Sequence, residues 1–359
     1  MKKELLLATA LVGSMGLMAS TAEAATATFS GKSRVGVLGK DSDSAADTYA
    51  AHEQASFSVS ISETTDGGTK ISTGFDLTDE SDAATDVSGI VLTFTDDSKL
   101  DLIEAGNAAA SKLATVPSAS GEQGISAATH NSAPSGLTYG NVSDKVGFEW
   151  HSAADAFGVA GLKAGLSASV NDDAAVTTTT SVVENSYSVG LSYVSTAGDT
   201  TITIGGGFVQ ASSTSSTAGK EASSSTMIAL SAVTGDLTVG VGYAGGDYVR
   251  SNAITGSTAD ANAADVDDVS VLTVGAKYVS GDITFAVGIV DGEGTDSTLG
   301  SQGSGSADTY NKTAASIDYV IAPGVTGTLG WSDSDSEDEG TATAANSGSS
   351  WYIGANISF

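Results

Sequence analysis

The chain has 359 residues, of which 43 are acidic and 14 basic, giving a formal net charge of −29, and it contains no cysteine. That balance excludes a basic nucleic-acid footprint, and the lack of thiols excludes disulfides, thiolate nucleophiles and sulfur-bound zinc. Hydrophobic residues make up 40%, with 44 glycines against 3 prolines, and this composition favours strands and turns over helices.

At the N-terminus, Lys2 and Lys3 precede an apolar stretch from Leu5 to Met18, and Ala22 and Ala24 flank Glu23. A charged start, a short apolar middle and small residues before a cut after Ala24 predict a secretory signal peptide over 1–24. The mature chain, 25–359, is then expected outside the cytoplasm. Beyond it no apolar run is long enough for a membrane-spanning helix.

Period-two segments then follow to the end. Phe29, Val35 and Val37 alternate with Ser30, Lys32, Arg34 and Gly36; next come Phe57–Ile61, Ile71–Leu77, Ile90–Phe94 and Leu100–Leu102. After a long irregular stretch the pattern resumes at Val146–Trp150 and Leu162–Val170, then runs through Tyr187–Tyr193, Ile202–Phe208, Ile228–Leu230, Leu237–Tyr243 and Leu272–Tyr278. Ile283–Ile289, Ala315–Ile321, Val325–Trp331 and Trp351–Phe359 complete about sixteen segments, each close to what a tilted strand needs to cross a bilayer.

The connections take turns. Tight ones occur at Asp66-Gly67-Gly68, Asp96-Asp97-Ser98, Ala197-Gly198-Asp199, Gly235-Asp236, Gly281-Asp282 and Pro323-Gly324, where Gly or Asp supplies hairpin backbone angles. Between them lie longer polar stretches: 40–53, 79–87, 172–183, 212–223, 247–265, 292–307 and 332–347. Short connections at one rim and long ones at the other are the layout of an up-and-down membrane barrel. The two strand faces agree. One is apolar; the other holds Ser, Thr and Gly with Lys32, Arg34, Lys70, Asp76, Lys145, Glu149, Lys163 and Lys277. No helices exist to cover the apolar face in water, whereas lipid needs no cover and closure satisfies every backbone group. The expectation is all-β: a transmembrane antiparallel up-and-down β-barrel of about 16 strands with short periplasmic turns, long extracellular loops and a wet interior. Trp150, Tyr187, Tyr193, Tyr243, Tyr278, Trp331 and Trp351 stand near strand ends, where interface girdles form.

The chain ends on Trp351–Phe359, which alternates Trp351, Ile353, Ala355, Ile357 and Phe359 with small or polar residues. An apolar strand at a chain end needs pairing on both edges, so it is expected to close the barrel between the Leu329–Trp331 strand and the Phe29–Val37 strand. The connection 104–141 is much the longest and is expected to be functional.

The first strand, the second hairpin Ser62–Thr69, the long third loop and the terminal Phe359 together resemble the general diffusion porins of Gram-negative outer membranes, particularly the alphaproteobacterial type. The resemblance covers essentially the whole mature chain. It implies a passive, water-filled channel for ions and small hydrophilic solutes, with loop 104–141 folded into the lumen as a constriction. By position, Glu104 and Glu122 correspond to the loop acids, and Lys32, Arg34 and Lys70 to the wall cations facing them. Charges so opposed would put a transverse field across the pore, although Ala and Ser dominate this loop. The resemblance also implies a homotrimer, contact with outer-membrane lipid and lipopolysaccharide, and a terminal Phe359 read by the barrel-assembly machinery. Acidic mouth loops predict cation preference.

The acidic runs, such as Asp333–Glu339, read as solvated loops; Ca²⁺ binding there is the sharper alternative, and no other cofactor is expected. A different class of function is a secreted acidic β-rich surface or adhesion protein without channel activity. A third is an outer-membrane enzyme using a Ser-His pair with His130 or His151, though no spacing favours it. His52 completes the three histidines.

Overall fold

The computed structural model describes residues 25–42, 45–78, 86–103, 107–120, 146–170, 182–215, 219–249, 265–296, 307–337 and 346–359. The segment 1–24 expected to be a signal peptide, and Glu104, Glu122, His130 and Lys145, lie outside the described residues.

Sixteen strands follow in order: β1 (Thr26–Ser42), β2 (Ala45–Thr64), β3 (Lys70–Thr78), β4 (Asp86–Thr93), β5 (Lys99–Leu102), β6 (Val146–His151), β7 (Leu162–Val170) and β8 (Val182–Ala197). The second half comprises β9 (Thr200–Ser215), β10 (Gly219–Thr234), β11 (Leu237–Val249), β12 (Asp265–Ser280), β13 (Ile283–Asp296), β14 (Ala307–Ala322), β15 (Val325–Glu337) and β16 (Asn346–Ser358). Each pairs antiparallel with its sequence neighbours, and β16 pairs with β1, so the sheet is a closed barrel as the alternation predicts. Closure leaves no free strand edge.

Most strands read outward-apolar and inward-small or polar; Glu53 of β2, paired with Val35, is an outward acid within the band. Val35, Leu191, Ile228 and Leu329 on the outer surface are each half exposed, while Ser167, Ser188, Ser332 and Ser350 on the inner surface are buried. Fully burying one large aliphatic side chain is worth roughly 1.5–3 kcal/mol, so dozens left outside would be very costly in water. No described helix is long and apolar enough to cross a membrane. Outward aromatics bracket the band: Trp331 pairs with Trp351, and Tyr49 packs 6.0 Å from Trp351 between ring centroids. Phe359, eight positions beyond Trp351, lies roughly 26 Å along the strand, the scale of a bilayer's apolar band.

Strand extent differs from the sequence reading. The polar stretches 40–53 and 212–223 are mostly ladder: β1 continues to Ser42 and β2 restarts at Ala45, while β9 runs to Ser215 and β10 from Gly219. Beyond the apolar band both faces are polar, so the hydropathy contrast that marks a strand vanishes while the hydrogen-bond ladder goes on. At the opposite rim the hairpins are as expected, with Gly235 and Gly281 opening their turns at φ of 55° and 59°. The β6–β7 connection is different. It holds a short 3₁₀ turn at Ala156–Gly158, Asp155 and Phe157 take φ of 58° and 55°, and the Asp155 carboxylate accepts the Gly161 N–H at 2.7 Å. Phe157 stands 80% exposed at this rim.

The seam joins β1 to β16 over eleven paired positions, Lys32 with Ser358 through Ser42 with Gly348. Gly31 and Phe359 then exchange backbone hydrogen bonds of 3.2 and 3.1 Å. Three glycines of β1 lie under aromatic rings of β16 and the residue that follows it: Gly31 under Phe359, Gly36 under Tyr352 and Gly39 under Trp351, each so close that an added Cβ would meet the ring at 2.5–2.6 Å.

Candidate functional site

The segment Asn107–Ser120 runs inside the barrel along the inner wall from β7 to β14. It begins with a single helical turn, α1 (Ala108–Ser111), because Asn107 caps it: its side-chain oxygen accepts the Ala110 N–H at 3.1 Å. The first N–H groups of any helix have no partner within it. Here the wall supplies them, with Ser167 of β7 accepting from Ala108 at 3.3 Å and Ser188 of β8 from Ala109 at 3.1 Å. The two hydroxyls are themselves 2.6 Å apart. Ala109 then packs with Val209, Met227 and Ala244, inward residues of β9 to β11, and Ala110 and Leu113 lie against that cluster. At the far end Ser120 donates its N–H to Ser316 of β14 at 2.9 Å and its hydroxyl bonds Asp318, while Ala119 packs with Ala314 and Tyr352.

The segment lies this close because the wall beneath it has no side chains to hold it off. A Cβ on Gly190 would stand 2.6 Å from the Ala108 carbonyl oxygen, and one on Gly207 2.5 Å from the Ala109 Cβ. On Gly205 it would collide with the Lys112 carbonyl and on Gly275 with the Pro117 carbonyl. Gly240 underlies Val116 and Pro117, and Gly288 underlies Ser118. Glycine within a strand weakens it and marks close backbone approach; a track of them across β8, β9, β11, β12 and β13 seats the inserted chain.

One hydrogen-bonded tether adds to that seat. Lys112, 8% exposed, places its Nζ 2.6 Å from His151 Nδ1 on β6. His151 Nε2 lies 3.3 Å from Glu149 Oε1 and 3.9 Å from Asp101 Oδ2. Asp101, Glu149 and His151 offer ligand atoms within 4.8 Å of one another, a spacing a metal could use. The ammonium argues against one. With Lys112 donating to Nδ1, the neutral imidazole carries its proton on Nε2, the atom a cation would need, and Lys112 already supplies the positive charge. Replacing Lys112 with Met keeps the stem and removes the tether. Amide exchange at Ser111 and Leu113 should then accelerate roughly tenfold, in line with a buried hydrogen bond worth about 1–1.5 kcal/mol. Unchanged exchange would mean the serines and glycines hold the segment alone.

Of the residues singled out from sequence, Lys32 and Arg34 lie two apart on the inward face of β1, opposite Ser56 and Gln54 of β2. Arg34 donates to Gln54 Oε1 at 2.6 Å. Lys70 is not with them: it pairs with Thr64, eight positions along β2 from Ser56, near the short-turn rim. The loop acids Glu104 and Glu122 are outside the described residues, and Ala108–Ser120 contains no acid. Lys112, the wall serines and the glycine track are not apparent from the sequence pattern; the many small residues at the inward positions of β7–β13 are the trace they leave.

Charge is sorted by place. The described inward-facing cations are Lys32, Arg34, Lys40, Lys70, Lys99, Lys163, Lys277 and Lys312, with Lys112 on the segment; the described inward acids are Asp76, Asp101, Glu149 and Asp318. Exposed acids occupy both rims: Asp66, Asp96, Asp97, Asp199, Asp236 and Asp282 at the short turns, and Asp291, Glu293, Asp333 and Asp335 toward the long connections. Ser98 donates its N–H (3.0 Å) and hydroxyl (2.7 Å) to Asp96 Oδ1, which lowers that carboxyl below its ordinary range.

No protein-family model matches the chain, and no curated protein sequence matches it. Solved structures do. OmpF of Salmonella typhi, in complex with daunomycin, is similar at a TM-score of 0.64 and 13% identity, over 93% of this chain and 97% of that one. The anion-selective porin from Comamonas acidovorans is similar at 0.60 and 13% identity, over 93% and 100%. The trimer form of OmpT, an outer membrane protein of Vibrio cholerae, is similar at 0.56 and 14%, over 94% and 100%. At such identities the likeness is one of fold.

Proposed function

We propose that this protein is an outer-membrane porin: a passive, water-filled channel for ions and small hydrophilic solutes, narrowed by the inserted segment 107–120. The observation that carries the reading is a closed barrel with an apolar exterior and a hydrophilic lumen, crossed by a segment fixed to its wall. Such a body is stable where lipid covers its outside, and a fixed obstruction in a wet lumen sets a size limit. No reaction is assigned: His151 is engaged by Lys112 and Glu149. The segment 1–24 would direct export and be removed, and Phe359 would present the chain to the assembly machinery.

The resemblance to general diffusion porins, including the alphaproteobacterial type, supports the same reading, as does the trimer form of the Vibrio cholerae protein. We infer a homotrimer here too, meeting through the outer face of β1 and β2, where Ser33, Ala51 and Ala55 present small side chains around Glu53. The remaining outer surface would contact lipid and lipopolysaccharide. The acidic rims should concentrate cations at the mouths.

The purified protein in planar bilayers should give discrete, ohmic conductance steps, and proteoliposomes should swell at rates falling steeply with solute size. Absence of conductance in bilayers containing verified folded barrel would refute the channel. In dilute salt the reversal potential should report cation preference, the direct expression of the acidic rims.

A further inference from the structure

We propose that the barrel contains two charge filters of opposite sign in series, acidic rims and a basic inner wall, so that its ion preference inverts with ionic strength, from cations in dilute salt to small anions in concentrated salt. The inference rests on the channel reading and extends it by assigning a solute class to the wall itself.

Three observations carry it. First, the sorting of charge runs against the composition. The chain as a whole is −29, yet its described inner wall bears more cations than acids. Two of those acids, Asp101 and Glu149, sit beside Lys112 and His151, leaving Asp76 and Asp318 as the other described inward carboxylates. Second, the inserted segment covers the wall from β7 to β14. Its end, Ala119, packs on Tyr352 of β16 beside Leu38 of β1, and Lys32, Arg34 and Lys40 project into the lumen from the inward row of that same β1 strand. Third, the described segment itself, Asn107–Ser120, is free of acid, so within it nothing negative faces that basic strand.

The screening length decides which filter an ion senses. At about 0.01 M salt it is roughly 30 Å, comparable to the whole apolar band, so an ion in the lumen feels both rims and the net negative charge of the protein. At about 1 M it is roughly 3 Å. The rims are then screened out, and only groups lining the path act: Lys32, Arg34 and Lys40 above all. Charges in a confined, partly desolvated lumen are also screened less than exposed ones. The two regimes must therefore differ in sign and not only in strength.

The test is the reversal potential of the intact, folded protein in planar bilayers under potassium chloride gradients, from a mean of about 0.01 M to about 1 M. Cation excess at the low end, a zero crossing and anion excess at the high end are expected. A cation preference that decays toward zero without crossing overturns the inversion while leaving the channel intact; absence of any conductance overturns the channel reading and the inversion together. The double variant Lys32→Gln/Arg34→Gln should lose the anion branch and keep the cation branch. Should that variant fail to insert, Asp333→Asn/Asp335→Asn at the rim gives the complementary result: a weaker cation branch, with the crossing moved to lower salt. A crossing unmoved by the rim variant, or an anion branch surviving the wall variant, contradicts the assignment of the two filters.

Discussion

Single-channel conductance should fall, with the barrel still folded, when Gly205 and Gly275 are replaced by alanine. The two sites underlie different parts of the inserted segment, the Lys112 carbonyl and the Pro117 carbonyl, and a methyl group at either would occupy space the segment's backbone now fills. Neither atom can yield alone, because each belongs to the main chain of a segment fixed at both ends by wall serines. The segment must lift toward the pore axis. Overpacking of this kind costs typically 1–3 kcal/mol, and here the cost falls on the seat of the segment, while the sixteen-strand ladder keeps its pairing. Both sites are on inward faces, so the apolar exterior is unchanged. The measurement is conductance and solute cut-off together with the gel shift of the folded barrel on heating. A Gly67→Ala variant serves as control, since the nearest atom to a Cβ there is 3.9 Å away. Unaltered conductance in the double variant would show that the segment does not limit the pore.

The same two glycines show how far the sequence could be read. All sixteen strands were visible because an outward face in contact with lipid must be apolar, and period-two alternation records that at every strand. Alternation also places Gly205 and Gly275 on the inward face. It cannot say what they face, because the partner, Asn107–Ser120, is separated from them by most of a hundred residues or more and has no periodicity of its own. A run of Ala and Ser fits a compact path, a loop or a helix equally. Lys112 illustrates a second limit. Its tether depends on His151 of β6, and pairing across a barrel lumen leaves no spacing rule in the chain. The transverse field expected from Glu104 and Glu122 against Lys32, Arg34 and Lys70 mixed residues of different heights: Lys70 lies at the turn rim, and the two acids are outside the described residues. Strand ends were misjudged for a related reason, as at Ser212–Ser223, where the ladder outlasts the hydropathy contrast.

Deleting Phe359 should reduce the yield of folded, membrane-inserted protein severely while leaving the selectivity of the molecules that do insert unchanged. The residue does three things at one place. Its backbone exchanges two hydrogen bonds with Gly31, the lowest pair of the seam. Its ring covers Gly31, which has no side chain of its own to face lipid. Its position ends the outward apolar row of β16 at the level where the aromatic girdle is expected. Removing it leaves the Gly31 N–H and carbonyl unpaired at the edge of the hydrocarbon region, where each unsatisfied group costs several kcal/mol. The seam also joins the first strand to the last, the pairing of largest sequence separation and so of highest loop-closure cost. None of this touches the lumen: Lys32 and Arg34 face inward, and Phe359, 76% exposed, faces out. The heat-modifiable band of membrane fractions measures the first effect and the reversal potential of surviving channels the second. Normal insertion with an altered reversal potential would contradict the assignment, because it would place Phe359 in the permeation path and not at the seam. A Phe359→Tyr variant, which keeps the backbone pair and the ring, should restore insertion; if it does not, the requirement lies in recognition of the terminal phenyl group itself and not in closure of the barrel.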